Sequence, residues 1–251
     1  MNDHKHDEQL INRYRELADR SAGAGIYTYS DFHSPHSAAL AYGVTCDKNV
    51  SFWGGAENCE RVIVRFGDPE ETGYEEDYPI RIIHIFPKQA KYADKLTHRD
   101  YLGAIMNLGL ERDVIGDILM NDAEAYVFVC ERIAEYIVDE LTQIKHTSVR
   151  CEAVSEIPDG IGPKLTEESV TVSSVRLDGI IAKIWHLSRT EAKSLFSSEE
   201  VFVNGRLCVN ASYEPKPEDV VSVRGHGKFI YAGIERKTSK DRFAVLVRRY
   251  V

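Results

Sequence analysis

The sequence predicts an α+β protein, and three stretches carry that reading. From residue 80 a strand, a helix, two strands, a second helix and a last strand succeed one another, the βαββαβ order of a ferredoxin-like split unit. Near the C-terminus two short amphipathic helices precede an Asn-Gly hairpin and further strands. Between them, residues 157–164 (IPDGIGPK) concentrate the Pro and Gly that interrupt regular structure. The expected layout is an N-terminal α/β body over 1–78, a middle subdomain over 79–156, a linker over 157–169, a C-terminal domain over 170–236 and a closing strand or tail over 237–251.

In the body, residues 5–20 form an amphipathic helix with Leu10, Ile11, Tyr14 and Leu17 inward. Residues 27–32 are extended, and Ser34 or Ser37 caps a short helix over 38–42. Strands follow at 50–53 and 61–66, then an acidic surface loop at 68–77. In the middle subdomain, strand 80–86 leads to a helix capped by Thr97, with Asp100 at its third position, running to about Leu108 before Gly109. Strands 115–120 and 125–129 flank an Asn121-Asp122 turn. A helix over 131–144 turns Ile133, Ala134, Ile137, Val138 and Leu141 inward, and strand 149–154 closes the unit. Tyr126 and Phe128 alternate on the third strand, the position from which rings stack bases in sheet-based RNA readers. No K/R-G-F/Y pattern accompanies them, so packing is the expected role.

The C-terminal stretch is the most informative. Leu177, Ile180, Ile181 and Ile184 share one helical face, with Arg176 and Lys183 on one flank. Ser188 and Glu191 form a capping box; the helix behind them buries Ala192, Leu195 and Phe196, with Arg189 and Lys193 along its edge. Strand 201–203, the Asn204-Gly205 turn and strand 206–209 make a hairpin. A strand at 220–223 precedes a basic loop, Arg224-Gly225-His226-Gly227-Lys228, whose glycines admit close backbone approach. A charged turn at 235–242 and a closing strand at 243–251 end the chain.

Charge sharpens this picture. The whole chain carries a net −9, yet residues 170–251 hold 14 Lys and Arg against 9 Asp and Glu, a net of +5; the remainder holds 17 against 31, a net of −14. An acidic body with a basic C-terminal domain approaches a polyanion basic end first. Five scattered cysteines (Cys46, Cys59, Cys130, Cys151 and Cys208), without a CxxC pair, are expected to be reduced and mostly buried, with no zinc site. No stretch is apolar enough to span a bilayer, and MNDHKHDEQL has no signal-peptide core, so a cytoplasmic protein is expected.

Five pieces in order, Arg176-Leu177-Asp178, Ser188-Arg189, 201–205, 217–219 and 224–229, resemble the S4 RNA-binding module of ribosomal proteins, pseudouridine synthases and tyrosyl-tRNA synthetases. The resemblance implies an αL-type fold and RNA contacts at Arg176, Lys183, Ser188, Arg189, Lys193, Asn204, Arg206, Arg224 and Lys228. Two departures stand out: Glu199-Glu200 where the module has Gly, and Pro217-Glu218-Asp219 where it has Pro-Gly-Asp. Upstream, YSDFHSPHSAALAY (29–42), Trp53-Gly54-Gly55 with Glu60-Arg61, LTHRDYLGAIMNLGL (96–110) and Gly116-Asp117-Ile118 look like the YlmH family of bacterial S4-domain proteins, often encoded beside cell-division genes. That resemblance spans nearly the whole chain. It departs at Phe32-His33-Ser34-Pro35-His36, where the family more often places acidic residues around the Pro. It implies a non-catalytic factor bound to rRNA, and to tRNA, on the large ribosomal subunit, in quality control of stalled nascent chains. DNA, membrane and cofactors are not expected.

Enzyme readings rank lower. Arg176-Leu177-Asp178 matches the motif around a pseudouridine synthase aspartate but sits in a helix where Asp178 pairs locally. Lys237-Thr238-Ser239-Lys240 resembles a synthetase KMSKS signature without its HIGH partner, and His98-Arg99-Asp100 lacks the other kinase motifs. His84, His98, Asp100 and Asp117 remain as a cluster that could converge in a cleft of an RNA-modifying or RNA-processing enzyme, the alternative function. Arg61, Arg99 and Arg112 are a possible second phosphate-binding patch.

Overall fold

The computed structural model describes residues 2–45, 49–57, 59–158, 160–162, 165–238 and 241–250. Cys46, Asp159, Pro163, Lys164, Ser239 and Lys240, which figured in the thiol, linker and KMSKS-like readings, lie outside the described residues. The chain forms two compact units, Met1–Gly162 and Pro163–Val251.

Unit 1 opens with α1 (Asn2–Ala24), longer than expected, which buries Leu10, Tyr14 and Leu17. Its last turn is tied to the sheet beside it by polar groups. The Ser21 hydroxyl bonds to the carbonyls of Ile26 (2.7 Å) and Phe66 (3.1 Å), and Thr28 Oγ1 donates to Leu17 O at 2.8 Å. That sheet has order β1-β3-β2, with β1 Thr28–His33, β2 Val50–Trp53 and β3 Val62–Phe66, all antiparallel. Ser34, not Ser37, caps α2 (Pro35–Ala39): it accepts from the Ser37 N–H, and Pro35 occupies the first turn, where its missing N–H costs nothing. Part of the acidic stretch coils into α3 (Pro69–Thr72), capped by Asp68 and ended by Gly73 at φ 79°.

The second sheet of unit 1 holds β4 (Ile80–Pro87), β5 (Ile115–Asn121), β6 (Glu124–Cys130), β7 (Gln143–Ile144) and β8 (Thr147–Val154), with α4 (His98–Met106) and α5 (Glu131–Glu140) in the crossovers. Its order, β5-β6-β4-β8-β7, with every pair antiparallel, is the split βαβ arrangement that the element order predicts, extended by one short edge strand. The helix expected over 131–144 stops at Glu140. Leu141 leaves it in an extended conformation, still buried, and Lys145 (φ 52°) turns β7 back onto β8. Ile133 and Val138 are only partly buried.

The body keeps a small core of its own around Leu10, Tyr14, Leu17, Val64 and Phe66, but it also shares one with the middle subdomain. Phe32 and Ile63 of the small sheet share one apolar cluster with Ile82, Phe128 and Val129 of the larger one. Glycines permit this approach: a Cβ on Gly55 would lie 2.3 Å from the Phe128 ring, and one on Gly116 would lie 2.7 Å from Phe32.

Unit 2 contains β9 (Leu165–Val172), α6 (Leu177–Ile184), α7 (Arg189–Ser197), β10 (Val201–Val203), β11 (Arg206–Leu207), β12 (Val220–Val223), β13 (Gly227–Lys237) and β14 (Phe243–Tyr250). The six strands pair in the order β11-β10-β12-β13-β14-β9. Strand β9 begins inside the range expected to be linker, because residues 165–172 pair along their full length with β14. Residues 243–250 therefore are not a tail: β14 lies between β13 and β9. Long pairing also shortens two expected loops. Strand β13 starts at Gly227, so Lys228 is on a strand, and it runs to Lys237, inside the range expected to be a charged turn. Asn204 (φ 50°) and Gly205 (φ 75°) both adopt the positive φ that a tight hairpin turn requires.

Candidate nucleic-acid interface

In unit 2 the apolar stripes of α6 and α7 pack into the core as the sequence predicts: Leu177, Ile180, Ile181, Ile184, Ala192 and Phe196 are almost fully buried, Leu195 nearly so. Burying those faces fixes where the cations point. Arg176, Lys183, Arg189 and Lys193 line one groove of about 550 Å³ with the end of β9. The turn between the helices is held open by His186 at φ 55°, with Leu187 N–H donating to Ala182 O at 2.9 Å, the closing bond of a Schellman motif. Ser188 then starts α7 with its hydroxyl accepting from Glu191 N–H (3.2 Å), while the Glu191 carboxylate accepts from Ser188 N–H (2.8 Å); the Ser188 hydroxyl and then its N–H hold that carboxylate below its usual pKa. This reciprocal cap commits Ser188 to the helix.

Within the groove Arg176 is oriented by Asp178. Their fork pairs Nε with Oδ1 at 3.2 Å and Nη2 with Oδ2 at 2.9 Å, and Asp178 Oδ1 also accepts from Gly179 N–H at 2.9 Å. Asp178 thus pairs locally, leaving the outer guanidinium donors of Arg176 toward the groove. Arg189 Nη2 reaches Ser173 Oγ at 3.4 Å. Two further groove residues, His186 and Arg242, were not singled out from the sequence. Neither has a periodic signal: one sits in an interhelical turn and the other after the β13 turn, brought in only by the long β13-β14 pairing.

The remaining expected contacts lie elsewhere. Asn204 is consumed by structure, donating to Asp219 Oδ1 at 2.8 Å and accepting from Val220 N–H at 2.9 Å. Arg206 is exposed on the edge strand β11. The Arg224 guanidinium lies 5.0 Å from the Phe202 ring centre, and Lys228 Nζ lies 4.0 Å from that of Tyr250. These residues do not line the groove formed by the four helix cations.

In unit 1 the expected arginine patch is taken apart. Arg61 donates to the carbonyls of Ile115 (2.9 Å), Phe32 (2.6 Å) and Arg112 (3.2 Å). Burial, and then the nearby Arg112, push its pKa down to about 10. Arg112 bonds to the carbonyls of Ile115 and Gly116. Arg99 lines another groove, beside α4 and β7, to which neither contributes. The four acid–base residues have separate structural duties as well. His84 stacks on Tyr126 and meets Glu124, His98 opens α4, Asp100 caps α4 and pairs with Lys145 (2.8 Å), and Asp117 accepts from the Glu60 and Arg61 N–H groups. Among the described residues no group of three or more His, Cys, Asp or Glu is placed to hold a metal.

The family model described as "Putative RNA-binding domain in YlmH" matches residues 73–156, the region of the five-stranded sheet. Ribosome-associated protein quality control protein P2 of Bacillus subtilis (strain 168) is 30% identical over 227 residues, covering 88% of this chain and 86% of that protein. The chain belongs to the YlmH family. A solved structure, cell division protein ylmH from Streptococcus pneumoniae, matches with a TM-score of 0.48 at 21% identity, over 59% of this chain and 91% of that one. In this YlmH-family chain, the groove of α6 and α7 lies outside the matched model.

Proposed function

We propose that this protein is a non-catalytic RNA-binding factor whose unit 2 is an S4 module, gripping structured RNA on the large ribosomal subunit during quality control of stalled nascent chains. One observation carries the reading: five cations, Arg176, Lys183, Arg189, Lys193 and Arg242, line a single groove in an otherwise acidic chain. The family relative named for ribosome-associated quality control supports the setting. Arginines supply planar forks for phosphate oxygens and lysines supply point charges. Because a helix cannot enter the narrow major groove of A-form RNA, recognition rests on backbone shape.

The test is co-sedimentation of the purified protein with separated ribosomal subunits at low and moderate salt. Salt-sensitive binding to the large subunit is expected. Arg189→Ala with Lys193→Ala reduces the slope of log affinity against log salt by about 2 and leaves the melting temperature unchanged. Binding to free tRNA alone, or to neither subunit, overturns the ribosomal assignment. An unaltered slope in the double variant overturns the groove.

A further inference from the structure

The face of the five-stranded sheet turned away from α4 and α5 is only partly open: Leu119 and Tyr126 are buried on it, whereas His84 and Phe86 are partly exposed. Directly paired residues on neighbouring strands share a face. On one face, Ile83, Ile85, Ala125, Val127 and Val129 are fully buried, next to the crossover helices. On the other, Ile82 and Phe128 are roofed by Phe32 and Gly55 of the N-terminal body. Beyond that roof the same face continues as a run of rings. Tyr126 and His84 stack at 4.4 Å between centres with 3° between planes, and Phe86 follows His84 at 4.7 Å. The run ends at Phe86, which is partly exposed.

Charge on this face is sorted along the run. The Glu124 carboxylate meets His84 Nε2 at 2.9 Å, and exposed Glu152 is paired across from His84. At the Phe86 end the sign reverses. Arg150 is directly opposite Phe86 on β8, and Lys88 follows two residues later; both are exposed, and neither is in an ion pair among the described residues. The chain then continues through Lys91, whose Nζ lies 5.6 Å from the ring centre of Tyr92, 72% exposed. A partly exposed ring at the end of a stack, flanked by uncommitted cations, suits an unpaired base with its phosphate. A duplex, whose bases are already stacked and paired, has none to offer it.

We propose that the open end of this face is a second nucleic-acid site, which takes single-stranded RNA by stacking one base on Phe86 and holding the adjoining phosphates on Lys88 and Arg150. The site is independent of the α6–α7 groove and adds an unpaired-strand preference that the groove lacks.

The test uses the full chain, ultraviolet cross-linking to a mixed-sequence oligoribonucleotide, and affinity for that strand and for a duplex of equal length. Cross-links are expected in the peptide carrying Phe86 to Tyr92. Phe86→Leu with Arg150→Ala is expected to lower single-strand affinity about tenfold and to leave duplex binding unchanged. Leucine keeps the apolar fill, so the melting temperature should hold; Lys88→Ala with Arg150→Ala, which leaves every ring in place, provides a second variant. Arg189→Ala with Lys193→Ala should do the converse, weakening the duplex and keeping the cross-link. Cross-links confined to residues 165–250, or unaltered single-strand affinity in both sheet variants, would overturn the proposal while leaving the groove standing.

Discussion

Arginine serves opposite ends in the two units. In unit 1, Arg61 and Arg112 are partly buried and spend their donors on main-chain carbonyls of β1, β5 and the turn before β5. In unit 2, Arg176 and Arg189 stand at the flank of buried helical stripes, and among the described residues their guanidinium groups hydrogen-bond to the side chains of Asp178 and Ser173. Both pairs appear in the sequence as cations within mixed surroundings. What separates them is whether the neighbouring backbone has unpaired acceptors. The small sheet meets the larger one at irregular strands, with register shifts within β1 and within β5, and the carbonyls freed there need donors. The amides that open α6 bond to the Tyr213 and Ala211 carbonyls, and among the described residues Arg176 and Arg189 are not drawn onto the main chain, so they remain available.

That contrast can be broken most severely at Arg61. Replacement by Ala takes a donor from three carbonyls, of which that of Ile115 keeps a second arginine, Arg112, and should lower the stability of unit 1 by about 3 kcal/mol, read from the urea midpoint. Lysine should fail to restore it, since a single ammonium cannot reproduce the planar fork. Arg189→Ala, by comparison, should leave the midpoint within about 0.5 kcal/mol of wild type. Equal losses in the two variants would erase the distinction.

A middle-sized effect is expected at two glutamates of unit 2 that hold positive φ. Glu199 (φ 58°) follows α7 in the left-handed conformation, with Glu200 N–H closing onto Leu195 O at 2.9 Å. Glu218 (φ 71°) is the third residue of a turn in which Asp219 N–H bonds to Lys216 O. Both occupy backbone that glycine adopts without strain. Glu199→Gly should stabilise unit 2 by about 1 kcal/mol. It also removes a carboxylate lining a groove shared with Arg176 and Lys193, so RNA binding should tighten at low salt and lose that gain at high salt. Glu218→Gly should gain less, because Glu218 forms an ion pair with Arg248. A larger gain at 218 than at 199 would refute the account.

The smallest effect is on pH. Burial, and next the charge of Arg61, hold the His33 imidazole below its ordinary pKa of 6.5, against the opposing pull of Asp31 and Asp113. The unfolded chain takes up this proton near 6.5 and the folded chain only at lower pH. Stability contributed by neutral His33 is therefore present above 6.5 and declines as pH falls through that value. Melting temperatures between pH 7 and pH 5 should fall less steeply in His33→Gln. Parallel curves for the two proteins would exclude His33 as the source.

Much of the fold was legible because it is written in local chemistry. The Thr97–Asp100 and Ser188–Glu191 boxes, the Asn204-Gly205 turn and the stripe from Leu177 to Ile184 each act within a few residues, and each forms as read. Errors gathered where partners are distant in sequence. Residues 165–169 look like linker until β14 pairs with them, and Leu141 looks helical until β7 turns onto β8. Of the groove, the four helix cations were legible from spacing, whereas Arg242 and His186 had no local signal. Asn204 was chosen for RNA by motif, but its amide is engaged with Asp219 and Val220.

By itself, the sequence determined the helices, the hairpin, the division between an acidic body and a basic end, and the family. Caps, turns and amphipathic spacing depend on neighbours along the chain, and formal charge is counted from composition alone. Only the tertiary structure decided which arginines remain free for phosphate, which rings stay at a partly open sheet face, and which turn completes the groove. Those outcomes depend on the strand that lies opposite and on whether its carbonyls already have donors.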